Sequence, residues 1–118
     1  MRKFVSIVLA LPFLIGAAPP PDATRSDVRC LVLSLPLAGS DKPEEKQAGL
    51  VDVFYFLGRI DGRSPGFDLE TAVVREETAI RASAPADRQA LAQSCASILE
   101  KRGGDLKTLG DHLQARGL

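Results

Sequence analysis

Two cysteines, one histidine and two carboxylates on a single helical stretch are the residues of this chain whose types can do chemistry. Cys30 and Cys95 are the only thiols, and His112 is the only imidazole. A metal site wants further ligands at short spacing, and neither cysteine has a second cysteine or a histidine near it. A catalytic thiol needs help to reach its thiolate form. The one available base, His112, sits in a polar C-terminal stretch without an obvious partner and reads as a solvated surface histidine. Asp52 and Asp61 lie on one predicted helix, but at 100° per residue they fall on opposite sides of it. Paired-carboxylate catalysis needs both groups in one cleft. Gly58 and Gly62 have GxxxG spacing, which outside a membrane segment means only that another helix can approach at Gly58. Neither a Walker motif nor a dinucleotide fingerprint is present. The residues therefore predict no catalytic, metal or cofactor site, and a protein that is not an enzyme.

The cysteines then point to a staple, because the N-terminus predicts export. Met1-Arg2-Lys3 is a short basic region, Phe4 to Ile15 is apolar except for Ser6 and Pro12, and Gly16-Ala17-Ala18 supplies small residues for cleavage. This is the pattern of a secretory signal peptide. Cleavage after Ala18 would leave Pro19 at the first mature position, so residues 1–17 are the expected leader. As an uncleaved anchor the apolar stretch falls short of the ~20 residues that span a bilayer. Two cysteines in an exported chain favour a disulfide between Cys30 and Cys95.

Removing Arg2 and Lys3 leaves the basic side chains two short of the 15 acidic ones, so the mature chain is mildly acidic. A dedicated nucleic-acid binder shows a basic patch or stripe instead. What remains suits one domain of about one hundred residues. Tryptophan is absent, and the aromatics beyond the leader are only Phe54, Tyr55, Phe56 and Phe67. A core this modest gains from a covalent tie.

The elements that position these residues are helical by pattern. Residues 18–25, rich in proline, are expected to form a flexible linker, and 26–118 a single domain. Ser26 or Asp27 can cap a first helix through Leu35, which Pro36 and Gly39 end. Leu31-Val32-Leu33 also alternates like a strand, but no second strand of comparable strength exists to pair with it. The stretch Pro43 to Arg63 is the expected central helix. Ser40 or Asp41 can cap it, Pro43 suits its first turn, and Glu44 and Glu45 complement its dipole. Leu50, Val51, Val53, Phe54, Leu57 and Ile60 share a broad apolar arc, with Asp52, Arg59 and Arg63 on a narrow stripe opposite. Tyr55 and Phe56 flank that stripe on either side. An arc that broad is either wrapped by other helices or partly in an interface. Gly62 and the Arg63-Ser64-Pro65-Gly66 turn end the helix. Asp68 can cap a third helix, Leu69 to about Ala82, where Leu69, Ala72, Val73, Glu76 and Ile80 recur at helical spacing and Glu77 precedes Arg81 by four. Pro85 opens a fourth, with Leu91, Cys95, Ile98 and Leu99 in one stripe. Gly103-Gly104 is expected to end it, leaving a short last helix with Leu106, Leu109 and Leu113 on one face. The fold predicted is all-α, a small orthogonal bundle of four to five helices tied by one disulfide.

A first cysteine opening helix one (Cys30-Leu31), the segment Tyr55-Phe56-Leu57-Gly58-Arg59-Ile60-Asp61-Gly62 and a second cysteine before a short terminal helix give the chain a recognisable layout. It resembles the small exported, all-helical, single-disulfide proteins typified by the HdeA and HdeB acid-stress chaperones. The likeness spans nearly the whole mature chain in pattern, though tryptophan is absent and lysine is scarce. It implies a periplasmic or secreted bacterial protein with chaperone-like activity. Two functions follow as expectations. One is a protein-binding or chaperone-like domain whose surface around Val53, Phe54, Tyr55, Phe56 and Leu57 takes a protein client or a second copy of the chain. The other is a specific interaction partner, of immunity type, for one cognate protein. Neither involves nucleic acid, or a membrane span once the leader is removed.

Overall fold

In the computed structural model, which describes residues 22–118, the predicted helical signals become four helices and, among the described residues, no strand. They are α1 (Asp22–Ala38), α2 (Pro43–Arg63), α3 (Leu69–Ala82) and α4 (Pro85–Ala115). The expected leader and the start of the linker lie outside the described residues. The remainder of that linker is not extended: Asp22 to Arg25 form the first turn of α1, and Thr24 is fully buried there. The Thr24 hydroxyl lies 3.0 Å from that of Ser64, so this turn is tied down by the far end of α2.

The organising element is α1, not the expected central helix α2. α2, α3 and α4 all pack on α1, and contacts among those three are sparse. Four apolar side chains of α1, those of Val28, Cys30, Leu31 and Val32, are buried, together with the polar Thr24, Asp27 and Ser34. With neighbours on several sides, the Leu31-Val32-Leu33 alternation is a helix buried nearly all round, which a period of two imitates. Pro36 sits inside the last turn of α1, where it cannot donate to the Val32 carbonyl, and the helix ends two residues later.

The close meeting of α1 and α2 depends on Gly49. A methyl group placed on it would come within 2.2 Å of the Ala38 backbone nitrogen and 2.7 Å of Leu37 Cβ. Only a residue without a side chain lets α2 cross the end of α1 there. Gly66, with φ of 73°, makes the turn from α2 to α3 that the sequence predicted. The Asp68 carboxylate then accepts from the Thr71 N–H at 3.2 Å, the expected cap of α3.

One core cluster gathers Val28, Val32, Ile60, Ala72 and Ile80 between α1, α2 and α3. A second gathers Leu31, Phe56 and the Cys30–Cys95 disulfide, backed by Leu91, Ile98 and Leu99 of α4. The disulfide, with Cα atoms 5.5 Å apart, is thus the main tie of α4 to the body. The predicted break at Gly103-Gly104 does not occur. α4 continues through both glycines to Ala115, as one helix of about 46 Å.

Two outcomes follow from this architecture. The disulfide closes a loop across 65 positions, and restricting the unfolded chain to that extent is worth roughly 4 kcal/mol. Cys95→Ser should lower the urea unfolding free energy by that order and speed hydrogen exchange most over residues 86–100; an unchanged urea midpoint would contradict the role assigned to the staple. The second concerns pH. The hydrogen bonds from Thr71 hold the Asp68 carboxyl below its usual range. A depressed folded pKa means that its contribution is present above the unfolded value and lost as pH falls through the folded one. Asp68→Asn keeps a capping oxygen without the charge, so acid fraying of the first turn of α3, followed by amide shifts of Leu69 to Thr71, should lose its pH dependence.

Candidate protein-binding surface

Two buried carboxylates decide which faces of the helices look outward. Asp27, expected as a cap, is instead 1% exposed on the inner face of α1. Arg59 Nε donates to Asp27 Oδ1 at 2.9 Å, and Arg63 donates to Asp27 Oδ2 and, at 3.2 Å, to the Ala23 carbonyl. Arg59 also donates to the Tyr55 hydroxyl at 3.1 Å, with its guanidinium 5.6 Å from the centre of the Tyr55 ring. Burial lowers the proton affinity of Arg59, but its bonds to Tyr55 and Asp27 outweigh that and raise its pKa above the ordinary arginine value. On α3 the inner-stripe residue Glu76 is likewise 1% exposed. Arg25 Nε donates to its Oε1 at 2.8 Å, with Arg75 at 3.5 Å; Oε2 makes no hydrogen bond and lies 3.9 Å from Arg29.

The stripe of α2 that the sequence placed opposite the apolar arc therefore faces α1. Gly49 and Phe56 are buried on one flank of it, joined by Ile60 from the near edge of the arc, and Asp52 and Arg59 are half-buried. Burial raises the Asp52 carboxyl above its usual range. Asp61 is exposed, so the two carboxylates share no cleft. Much of the predicted apolar arc is left facing solvent, with Leu50, Val51 and Phe54 exposed, the last by 67%.

The five residues expected to bind protein are divided by this rotation. Phe56 is 0% exposed and lies against the disulfide, edge-on to Tyr55 with ring centres 5.3 Å apart. It belongs to the core, which corrects its assignment to a surface. Tyr55 opens with Arg59, Arg63, Lys101 and Arg102 onto a cleft of about 470 Å³ between α2 and α4. Val53 and Leu57 line a different groove of about 500 Å³ with Leu31 and Leu35 of α1 and Leu69, Val73 and the exposed Val74 of α3. Its walls are almost wholly apolar, with Glu70 the only charged residue on the rim. Phe54, exposed on α2, stands one helical turn before Leu57. His112 is exposed in the second half of α4.

The residues that the sequence did not single out for this surface are Leu31, Leu35, Leu69 and Val73, contributed by two other helices. Leu69 and Val73 lay on a predicted stripe and Leu31 and Leu35 in the predicted first helix, but nothing within one helix says which apolar residues meet a partner and which meet each other across a gap. No protein-family model matches the chain, and comparisons with curated proteins and with solved structures give no match.

Removing the Asp27 carboxylate leaves Arg59 and Arg63, with side chains 30% and 39% exposed, without their counter-charge. Water screens the two guanidiniums, so the cost is below that of a fully buried pair, at about 1–3 kcal/mol for the lost charged hydrogen bonds. Asp27→Ala should show a loss of that order in urea denaturation; a loss no larger than that of an ordinary surface substitution would contradict the role given to Asp27.

Proposed function

We propose that this chain is an exported, non-enzymatic protein-binding domain that receives the apolar face of a partner protein's helix in the groove between α1, α2 and α3. The observation that carries the reading is the groove itself, with apolar walls from three helices, and the exposed Phe54 one helical turn from its Leu57 wall. Monomeric proteins rarely leave large apolar side chains contiguous at their surface without a use for them. A groove between helices is the usual receptor for an amphipathic helix, whose anchors recur every three or four residues. The Cys30–Cys95 disulfide supports an oxidising compartment. Among the described residues no helix is long and apolar enough to cross a membrane, which fits a periplasmic or secreted protein released from its leader. The chaperone-like and the single-partner readings share this groove and differ in how selectively it is filled.

The test is a photo-reactive amino acid in place of Phe54 in cells exporting the protein. A ladder of adducts supports chaperone-like binding and one discrete adduct a cognate partner; Phe54→Asp and Val74→Asp, both on exposed positions, should abolish client protection in light scattering or weaken the single complex about tenfold or more while leaving the helical circular dichroism intact. No adduct at position 54 and full activity of both substituted proteins would overturn the groove reading. The intact mass of the exported protein should correspond to cleavage near Ala17 or Ala18, and Met1 on the mature chain would overturn export by a cleaved leader.

A further inference from the structure

Among the described residues, the second half of α4 has no packing partner. Every residue from Lys101 to Leu118 is exposed, and the apolar side chains of Leu106, Leu109 and Leu113 stand in solvent. At 100° per residue these leucines fall on the face that also carries Cys95 and Leu99. The stripe by which α4 packs on the body therefore runs on past the body, uncovered. Such a segment does not hold a helix by itself. Gly103, Gly104 and Gly110 each cost roughly 0.5–1 kcal/mol relative to alanine, and isolated helices below about 12–15 residues are marginal in water even when rich in alanine. Among the described residues nothing calls for glycine here, since a methyl group on Gly103 or Gly110 would meet no atom within 4 Å. Both the apolar stripe and the glycines ask for a second helix.

The spacing shows what that helix is. Leu99, Leu106 and Leu113 recur every seven residues, and so do Arg102, Leu109 and Arg116. Gly103 and Gly110 run along one edge of this seam, Asp105 and His112 along the other. A seven-residue repeat of this kind is the pattern of paired helices. Set parallel to its own copy, the seam would stack Arg102 on Arg102 and Arg116 on Arg116, like charges against each other. Set antiparallel about a two-fold axis between Leu106 and Leu109, it complements itself. Leu106 of each copy meets Leu109 of the other, Leu113 covers the stem of Arg102, Asp105 comes beside His112, and the glycine edges face each other so that the backbones can close. From these juxtapositions we infer that two copies of the chain pair through residues 102–113 of α4 in antiparallel orientation. The interface is isologous, as a two-fold axis requires, and it uses neither the groove nor Phe54, so it stands apart from the proposed function.

The experiment is the solution mass of the purified, disulfide-bonded protein across a concentration series, by sedimentation velocity. A dimer is expected, and Leu106→Asp with Leu109→Asp should weaken it about tenfold or more while the unfolding temperature of the body is retained. Gly110→Leu separates pairing from helix propensity, because it should raise the helicity of the monomer and yet weaken the dimer. A spin-labelled amino acid at Thr108 should give a short distance between copies, whereas one at Asp87 should give roughly 60 Å, from the rise per residue on either side of the axis. Overturning results are a monomer at every concentration, a monomer that instead binds lipid vesicles through the leucine face, a dimer indifferent to both leucine substitutions, or short distances at both label positions.

Discussion

The burial of Asp27 is the constraint on which the arrangement of this bundle rests. A carboxylate taken out of water requires charged donors, and α2 supplies two guanidiniums, Arg59 and Arg63, one helical turn apart. Meeting that requirement fixes the rotation of α2 about its own axis, and with it the choice of which apolar residues are buried. Glu76 does the same for α3, drawing Arg25 of α1 across its face. Pairs of this kind contribute little net stability against apolar replacements of the same volume, and their more general effect is to select one orientation among several. Here the orientation selected leaves part of an apolar arc in water, an outcome that burial of apolar area alone would not favour.

That order of priorities explains what was legible in the sequence. The limits of α2 and α3, the cap at Asp68, the turn at Gly66 and the Cys30–Cys95 link were readable because each depends on residues close in sequence or on the only available thiol partner. The hub and the facing of the helices were not. Ser26-Asp27 looks like a helix cap when only its neighbours are considered, and Arg59 and Arg63 look like a solvated stripe. Their meaning depends on each other, across 32 and 36 positions. Phe56 was assigned to the surface for the same reason, since it flanks the polar stripe that turns out to face inward. The groove was half visible through Val53 and Leu57, while its other walls come from α1 and α3. Gly103-Gly104 was taken as a stop because a glycine pair disfavours helix locally. Its persistence as helix shows a position where local preference and the wider structure disagree.

The molecule thus presents three chemically different surfaces. The groove between α1, α2 and α3 is apolar and shaped by a rigid three-helix unit. The cleft by Tyr55 is lined by cations whose guanidiniums are oriented by Asp27 and by Asp105. The free half of α4 is a narrow ridge rather than a hollow. Because the groove and the ridge involve separate helices, one can be occupied without displacing the other.

The attachment of α4 also sets an order of events as the chain is made. Synthesis delivers α1, α2 and α3, with both buried carboxylates and their arginines, well before Cys95 appears. Both buried carboxylates and their arginines belong to α1, α2 and α3, so the three-helix unit has its own polar ties around Asp27 and Glu76 while Cys30 still lacks its partner. Cys30 must then stay reachable at the edge of that unit until the last quarter of the chain arrives. Closure of the staple is consequently a late, oxidant-dependent event that completes a unit already shaped, and an oxidising enzyme would meet Cys30 on a preorganised surface rather than on an open coil.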